Sequence, residues 1–212
     1  MNFVSKKIVS LLLIGASVLT TLSGCAPLVV GGAVVGSMMA VDRRTSGTQI
    51  EDEGIELRGA SRIRENLGDR VHVNITSYNR QVLLTGEVPS AQDKQLVQQV
   101  VSTVPNVSAI VNELEVLGIS SLTQRTSDSL VTGKVKAGLV DTRDLYASAF
   151  KVVTERGTVY LMGRVTQREA DRATNVARST GGVQKVVRLL EIISEEEMRA
   201  MLPQSAPAET KK

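Results

Sequence analysis

Two segments of the chain alternate apolar and polar residues with a period of two. The first covers residues 71–88 and the second residues 149–165. Each has a short polar stretch at its centre, at 77–81 and 155–158. Alternation on both sides of a turn is typical of a half-buried β-hairpin, so the pattern predicts one hairpin in each segment.

The two hairpins belong to an internal repeat with a spacing of 77 residues. The matching pairs are Val73 with Phe150, Ile75 with Val152, Val82 with Val159, Leu84 with Leu161, Gly86 with Gly163, and Val88 with Val165. After each hairpin, apolar residues recur at helical spacing up to a break at 104–106 or 181–182, and a last apolar strand follows. An amphipathic helix, at about 56–67 and about 128–140, precedes each hairpin.

Both halves therefore have the order helix, strand, strand, helix, strand. Because the last helix crosses between two strands, the third strand is expected to run parallel to the second. We predict an α+β protein with two tandem domains, 50–118 and 124–194, each a small three-stranded mixed sheet covered by two helices. Units of this size are marginal alone, so the two domains are expected to pack on one another. Residues 195–212 are predicted to form a largely disordered tail.

The first 24 residues have the composition of a secretory signal peptide. Lys6 and Lys7 precede an apolar stretch at 8–19, and small residues occupy 20–24. An apolar stretch of about a dozen residues is too short to span a bilayer, which takes about 20.

Cys25 is the only cysteine in the chain, so it cannot form a disulfide within the monomer. The preceding Leu22, Ser23 and Gly24 complete a sequence that resembles the bacterial lipobox. That resemblance implies cleavage before Cys25 and acylation of its thiol and new amine. The alternative to this lipidation is that Cys25 is a free reactive or a buried thiol. Ala26 in place of Asp implies sorting to the outer membrane.

Residues 28–41 form a small, apolar run that contains three glycines. The run is too short and too flexible to cross a bilayer. We interpret it as an apolar part of a flexible tether covering 25–49, with contact to the membrane surface as the alternative.

Charge is distributed unevenly between the two halves. Residues 50–117 carry six basic and ten acidic side chains, a net charge of −4, whereas residues 125–190 carry twelve and six, a net charge of +6. The chain has no Trp, two Phe and three Tyr, so aromatic stacking on nucleic acid is not expected. An exported basic domain is expected to meet anionic lipid instead.

Four segments carry a resemblance to a known family: VLLTGEV at 82–88, VYLMGRV at 159–165, VTQREAD at 165–171 and GGVQKVV at 181–187. They resemble the BON domain, and a lipobox followed by two such domains resembles the dual-BON outer-membrane lipoproteins of the DolP type. The resemblance covers about residues 50–193. It implies periplasmic exposure, binding of anionic phospholipid of the phosphatidylglycerol or cardiolipin class through the second domain, enrichment at division sites, and a role in outer-membrane integrity.

The helix at 128–140 has two apolar faces. On a helical wheel, Val131, Val135, Gly138 and Leu139 form a core face. The predicted lipid-binding residues lie opposite or flank that side: Leu130, Gly133, Lys134, Lys136, Ala137, Val140 and, just past the helix, Arg143. Lysines beside an apolar strip favour an interfacial helix, although packing of the strip on the first domain is the alternative. Where the family pattern often has an aromatic, this sequence has Leu130.

The first repeat provides an internal comparison for this strip. When Ile63 and Leu67 are aligned with Val135 and Leu139, the outer positions of the first helix are Arg58, Ser61, Glu65 and Gly68. With that alignment, only the second repeat has an apolar outer face.

Nothing in the polar inventory indicates an enzyme. His72, the only histidine, is predicted to be exposed on a strand, and the acidic runs 51–53 and 195–197 are predicted to be solvated flanks and helix starts. One Cys and one His cannot supply three or four Cys and His ligands to zinc, and no phosphate-binding loop is present. We predict no catalytic residue, cofactor or metal site.

Two classes of function remain. In the first, the protein is an outer-membrane-anchored periplasmic lipoprotein whose second domain binds anionic phospholipid and supports membrane integrity. In the second, it is an adaptor that docks on envelope assembly or cell-wall machinery through its acidic first domain. Binding of cell-wall glycan is a third possibility, against which the shortage of aromatic residues argues.

Overall fold

The computed structural model describes residues 42–201, which contain two copies of one arrangement. The first copy consists of α1 (Ser46–Leu67), β1 (His72–Tyr78), β2 (Gln81–Val88), α2 (Ala91–Ser102), β3 (Ala109–Asn112) and β4 (Glu115–Val116). The second consists of α3 (Leu122–Asp141), β5 (Phe150–Glu155), β6 (Thr158–Val165), α4 (Gln167–Ser179) and β7 (Lys185–Ile192), followed by α5 (Glu195–Met201). The predictions for Cys25, for the run 28–41 and for the end of the tail lie outside the described residues.

Each copy has the predicted mixed sheet. β1 pairs antiparallel with β2, and β3 and β4 pair parallel with β2. In the second copy β5 is antiparallel and β7 parallel to β6. The repeat holds to the level of register, because Ile75 is opposite Leu84 and Val152 is opposite Leu161.

The helices cover one face of each sheet. In the first domain Ile55 and Ile63 of α1 pack with strand residues such as Leu84, and in the second Val135 and Leu139 pack with Leu161. The second helix of each domain is capped by a hydroxyl: Ser90 Oγ accepts from Asp93 N, and Thr166 forms a capping box with Glu169.

The opposite faces of the two sheets pack against each other. Their contact is centred on four buried side chains, Tyr78, Leu83, Tyr160 and Met162, with Val111, Val153, Val187 and Leu189 around them. The expectation that the domains pack together is confirmed. The alternative that the outer strip of α3 supplies the domain contact is wrong, because the strands supply it.

Polar contacts surround this apolar centre. Lys151 Nζ lies 2.6 Å from Glu56 Oε1, and Asn74 Nδ2 donates to Glu155 Oε2 over 2.9 Å. Arg156 Nε donates to Glu87 Oε1 over 2.7 Å. All three bonds join a residue of the first domain to one of the second.

A buried aspartate from the first helix holds the hairpin turn in each domain. Asp52 accepts hydrogen bonds from the backbone N–H groups of Asn79 and Arg80, both 2.8 Å long. Asp128 accepts from the N–H groups of Arg156 and Gly157 at 3.0 and 2.9 Å. The four turn residues all have positive φ, which a two-residue type I′ hairpin requires. The prediction that the whole run 51–53 is solvated is therefore wrong at its middle residue.

The segment before α1 is folded onto both domains. The Arg43 guanidinium forms two hydrogen bonds of 2.6 and 2.7 Å with the buried Glu169 carboxylate of the second domain. Arg44 Nη1 donates to Asp52 of the first domain over 2.8 Å, and its guanidinium lies 4.3 Å from the centre of the Tyr78 ring. The last eight residues of the predicted tether are thus structured: 42–45 dock here and 46–49 begin α1.

The chain after the second domain also departs from prediction. Residues 195–201 form α5, and Met198 is buried. Ser194 Oγ accepts from the N–H of Glu197, which starts this helix. The acidic run 195–197 is therefore a helix start, as predicted, but the tail's first seven residues are helical.

We expect Asp128→Ala to lower the free energy of unfolding by about 2 to 4 kcal/mol, because two backbone N–H groups lose their acceptor in a buried turn. Asp141→Ala, at the exposed end of the same helix, is the matched control and should change it by less than about 0.5 kcal/mol. Urea unfolding followed by circular dichroism measures both, and equal effects of the two variants would contradict the role given to Asp128.

We expect a pH-dependent effect at Glu169. Burial alone would raise the pKa of this carboxyl, but hydrogen bonds from Arg43 and the Thr166 N–H outweigh burial and hold the pKa below its usual range. A lowered folded-state pKa means that the ionised group stabilises the fold above the unfolded pKa of about 4.3, and that this stabilisation is lost as pH falls through the folded pKa.

Glu169→Gln should accordingly cost about 3 kcal/mol at pH 7, since Arg43 is left buried without its partner. The difference from the natural protein should shrink as pH falls below about 4. Thermal unfolding across this range tests the effect, and a constant difference would show that ionisation of Glu169 is not involved.

Candidate membrane-facing surface

Helix α3 buries one side and exposes the other. Val131, Val135 and Leu139 are buried against the second sheet. On the opposite side Leu130 and Val140 are 62% and 69% exposed. Gly133, Lys134, Lys136 and Ala137 are exposed between them, so the structure brings all of these predicted residues onto the exposed side of one helix.

The apolar strip is longer than the sequence predicted. Helix α3 begins at Leu122, which is 79% exposed, and Ser121 Oγ caps it by accepting from the N–H of Gln124. At about 100° per residue, Leu122 and Val140 point in the same direction, and about 27 Å of helix separates them. We define the α3 strip as Leu122, Leu130, Gly133, Ala137 and Val140.

Leu122 was missed because the sequence argument started this helix near residue 128. The signal that could have found it is the serine directly before it, since Ser is a preferred N-cap. Two further exposed apolar residues, Leu117 and Ile119, lie in the segment that leads into α3.

The basic residues beside the strip are free to face a partner. No ion pair to Lys134 or Lys136 is found within residues 42–201. Arg143 is exposed beyond the C-cap of the helix, and its carbonyl oxygen accepts from Arg172 Nη1 over 3.0 Å. Gly133 is not required by packing, because no neighbouring atom lies within 4 Å of the position that a Cβ would take.

The internal comparison with α1 needs a correction. Asp52 and Asp128 hold equivalent turns and lie 76 residues apart, so Ile55, Gly59 and Ile63 are the counterparts of Val131, Val135 and Leu139. The alignment of Ile63 with Val135 is therefore wrong by one helical turn. The counterparts of Leu130, Gly133, Ala137 and Val140 are Gly54, Leu57, Ser61 and Arg64.

With this register the first helix also has exposed apolar residues, Leu57 and Ile50. The difference between the helices lies in the flanking charge. The counterpart of Lys134 is Arg58, which is paired with Glu51 at 2.6 Å, and the counterpart of Lys136 is Ala60. Within the described part of the chain, a strip flanked by lysines that form no ion pair is thus found on α3 and not on α1.

The prediction that His72 is exposed on its strand is wrong. Its Nδ1 lies 2.9 Å from Glu87 Oε2, and its side chain is largely covered. Strand alternation gave the face correctly but could not show that the second domain and the segment 118–120 cover it. Arg156 and Ser120 both donate to the same Glu87 carboxylate.

Within residues 42–201, no helix is long and apolar enough to span a bilayer.

Comparison with known families is consistent with the two-copy architecture. The model of the BON domain matches residues 57–118 and again residues 127–194. These two matches define a tandem BON-domain protein.

Two curated relatives extend the comparison to most of the chain. The outer membrane lipoprotein DolP of Haemophilus influenzae is 35% identical over 184 residues, which cover 86% of this chain and 94% of the relative. The 21 kDa hemolysin of Actinobacillus pleuropneumoniae is 32% identical over 155 residues, covering 72% of this chain and 80% of the relative. The chain belongs to the dual BON-domain outer-membrane lipoproteins of the DolP type.

Among solved structures, CdsD, a structural protein of the type III secretion system of Chlamydia trachomatis, is 14% identical with a TM-score of 0.29. The match covers 75% of this chain and 99% of CdsD. At that TM-score the likeness carries no argument about fold or function.

We expect neighbouring substitutions on α3 to separate the two sides of the helix. Leu130→Ser should change the free energy of unfolding by less than about 0.5 kcal/mol, because the side chain is exposed. Val131→Ser, one residue along, should cost about 2 to 4 kcal/mol because it removes buried methyl groups and buries a hydroxyl. Thermal unfolding measures both, and strong destabilisation by Leu130→Ser would mean that the strip packs inside the protein.

Proposed function

We propose that this outer-membrane lipoprotein binds anionic phospholipid through the α3 strip of its second BON domain. The observation that carries the proposal is the exposure of a strip of apolar and small side chains along about 27 Å of helix, flanked by lysines. A soluble surface has no need for this combination, whereas a helix lying in a membrane interface does. The sheets, and not this strip, hold the two domains together.

The chemistry of the strip suits the boundary between headgroups and acyl chains. Leu122, Leu130 and Val140 supply the apolar contact, and Gly133 and Ala137 between them keep the helix close to the lipid surface. Lys134 and Lys136 extend to either side, where their ammonium groups reach phosphate while their alkyl chains cover apolar surface.

The affinity of the second domain alone is expected to be weak. Each basic residue near an anionic surface contributes about 1 kcal/mol, so a few such contacts give modest binding. An acyl anchor at Cys25 would strengthen this weak binding, because it raises the effective concentration of lipid around the second domain. We propose that the anchor determines which membrane holds the protein. The α3 strip then determines how the protein is oriented on that membrane and gives the preference for anionic lipid.

The net charges of the two domains support one orientation over the other. The second domain carries +6 over residues 125–190 and the first −4 over residues 50–117. An anionic membrane attracts the second domain and repels the first. With this contact the protein is proposed to support outer-membrane integrity at division sites, as the resemblance to its family implies.

A second candidate function is favoured by α1. Ile50 and Leu57 are both largely exposed on this helix, in the acidic domain that an anionic membrane would repel. Exposed apolar side chains in an acidic setting suit a basic protein surface. In this function the protein is an adaptor for envelope machinery and does not recognise lipid directly.

The test is vesicle co-sedimentation of residues 26–212, which lack the acylated cysteine. We expect binding to vesicles that contain phosphatidylglycerol or cardiolipin and not to purely zwitterionic vesicles. Lys134→Glu should lower the affinity roughly thirtyfold, because reversing one charge near an anionic surface costs about 2 kcal/mol. Leu130→Glu should lower it roughly tenfold, because it adds one repelled charge, worth about 1 kcal/mol, and removes an apolar contact.

Leu57→Glu on α1 is the matched control, since it replaces a largely exposed leucine on the outer side of the first domain's helix with the same charge. It should leave vesicle binding unchanged, and circular dichroism should be the same for all variants. If the natural sequence binds neither kind of vesicle, the acyl anchor alone holds the protein at the membrane, and the adaptor function is the better explanation.

A further inference from the structure

A cluster of three potential metal ligands lies where the two domains meet. His72 on β1 is opposite Glu87 on β2 in the first sheet. Glu155, the last residue of β5, reaches the same place from the second domain. One ligand atom from each residue lies within 4.8 Å of the other two. A cavity of about 340 Å³ adjoins the cluster and is lined by His72, Glu155 and polar residues of both domains.

The two carboxylates of the cluster are buried but differ in their partners. Glu87 is 0% exposed and well satisfied, since Arg156 and Ser120 donate to it and His72 Nδ1 contacts its Oε2. Glu155 is 8% exposed, and only one hydrogen bond to its side chain is found within residues 42–201, from Asn74 Nδ2 to Oε2. The second oxygen of Glu155 therefore lacks a protein donor in this part of the chain.

Within residues 42–201, no Lys or Arg forms an ion pair with Glu155. Arg156 is bound to Glu87, and Arg125 Nε donates to Ser120 Oγ. The carboxylate of Glu87 belongs to the same cluster, and Asp128 lines the same cavity. A buried carboxylate among other carboxylates, with an imidazole beside it, is an environment that a bound cation would stabilise.

We propose that His72, Glu87 and Glu155 bind one divalent transition-metal ion, for which Zn²⁺ is the best match. One imidazole nitrogen and two carboxylate oxygens are ligands that Zn²⁺ accepts, with water from the cavity as the fourth. Mg²⁺ and Ca²⁺ prefer sites made of oxygen alone. Ligand atoms within 4.8 Å of one another need to contract by about 1 Å to reach a common ion at about 2.1 Å, which rotation of the Glu155 side chain can supply.

The neighbouring residues fit this assignment. Arg156 holds Oε1 of Glu87, while Oε2 faces His72 and accepts from the Ser120 N–H. Asn74 orients Glu155 in the same way. Such partners around a metal site fix the ligands before the ion arrives. The sequence did not indicate this site because the two glutamates come from different domains and meet only in the folded protein.

An ion at this position would be a cross-link between the domains, because two ligands belong to the first and one to the second. Binding should therefore stabilise the whole two-domain unit. At a free Zn²⁺ concentration of about ten times Kd, we expect the melting temperature to rise by roughly 3 to 6 °C. The proposal is independent of lipid binding by α3, since none of its residues lies on the α3 strip.

The experiment is a zinc titration by calorimetry of the full mature chain carrying Cys25→Ser, which removes the only thiol. We expect one ion per chain, with affinity lowered at least tenfold by His72→Gln and by Glu155→Gln. Glu56→Gln is the matched control, because Glu56 pairs with Lys151 across the same domain contact but is not part of the cluster. That variant should bind Zn²⁺ as the unmodified chain does, and millimolar Mg²⁺ should not compete.

Absence of binding, or binding that His72→Gln leaves unchanged, would overturn the proposal. X-ray absorption at the zinc edge of the unsubstituted chain gives an answer that does not depend on whether the variants fold. We expect a first shell with one imidazole and otherwise oxygen. A shell without imidazole would place the ion elsewhere, because the chain has only one histidine.

Discussion

The structure depends on the second face of each small sheet. A small sheet covered by helices on one side leaves an apolar surface on the other, and within residues 42–201 neither domain has a third layer of its own to cover it. The two copies solve this together by placing Tyr78 and Leu83 of one sheet against Tyr160 and Met162 of the other. Because each sheet covers the apolar face of the other, residues 42–201 form one folded unit instead of two independent domains.

This use of the sheets decides what the helices present to the surroundings. Once the strands have supplied the domain contact, α1 and α3 both lie on the outside with one face free. On α1 the free face carries Leu57 and Ile50 among acidic residues, and on α3 it carries an apolar strip between two lysines. A duplicated fold has thus produced two outer helices of the same geometry and opposite charge, which is the basis for assigning lipid contact to the second.

Much of the fold could be predicted from the sequence because the repeat has a strong local signal. Alternation with a period of two located the hairpins, and the crossover rule gave the parallel third strand. The parts that were missed depend on contacts distant in sequence. Asp52 looked like one of three solvated acids, but the turn at Asn79 and Arg80 requires an acceptor for two N–H groups.

The candidate site was also predicted only in part from the sequence. The direction of Leu130 and Val140 followed from helical geometry alone, whereas Leu122 required knowing where the helix begins. The alignment of the first helices of the two domains was wrong by one turn. Apolar residues recur about every four positions on a helix face, so their pattern matches equally well after a shift of one turn. The shared role of Asp52 and Asp128 removes that ambiguity. The surroundings of His72 include a carboxylate of the second domain, which the pattern of its own strand could not indicate.

The docked segment before α1 has a mechanical consequence. A pull on the chain before α1 would reach Arg43 and Arg44 first. Arg43 transmits the load to Glu169 in the second domain and Arg44 transmits it to Asp52 in the first. Such a force would thus be divided between the two domains through these ion pairs, instead of acting on the first turn of α1 alone.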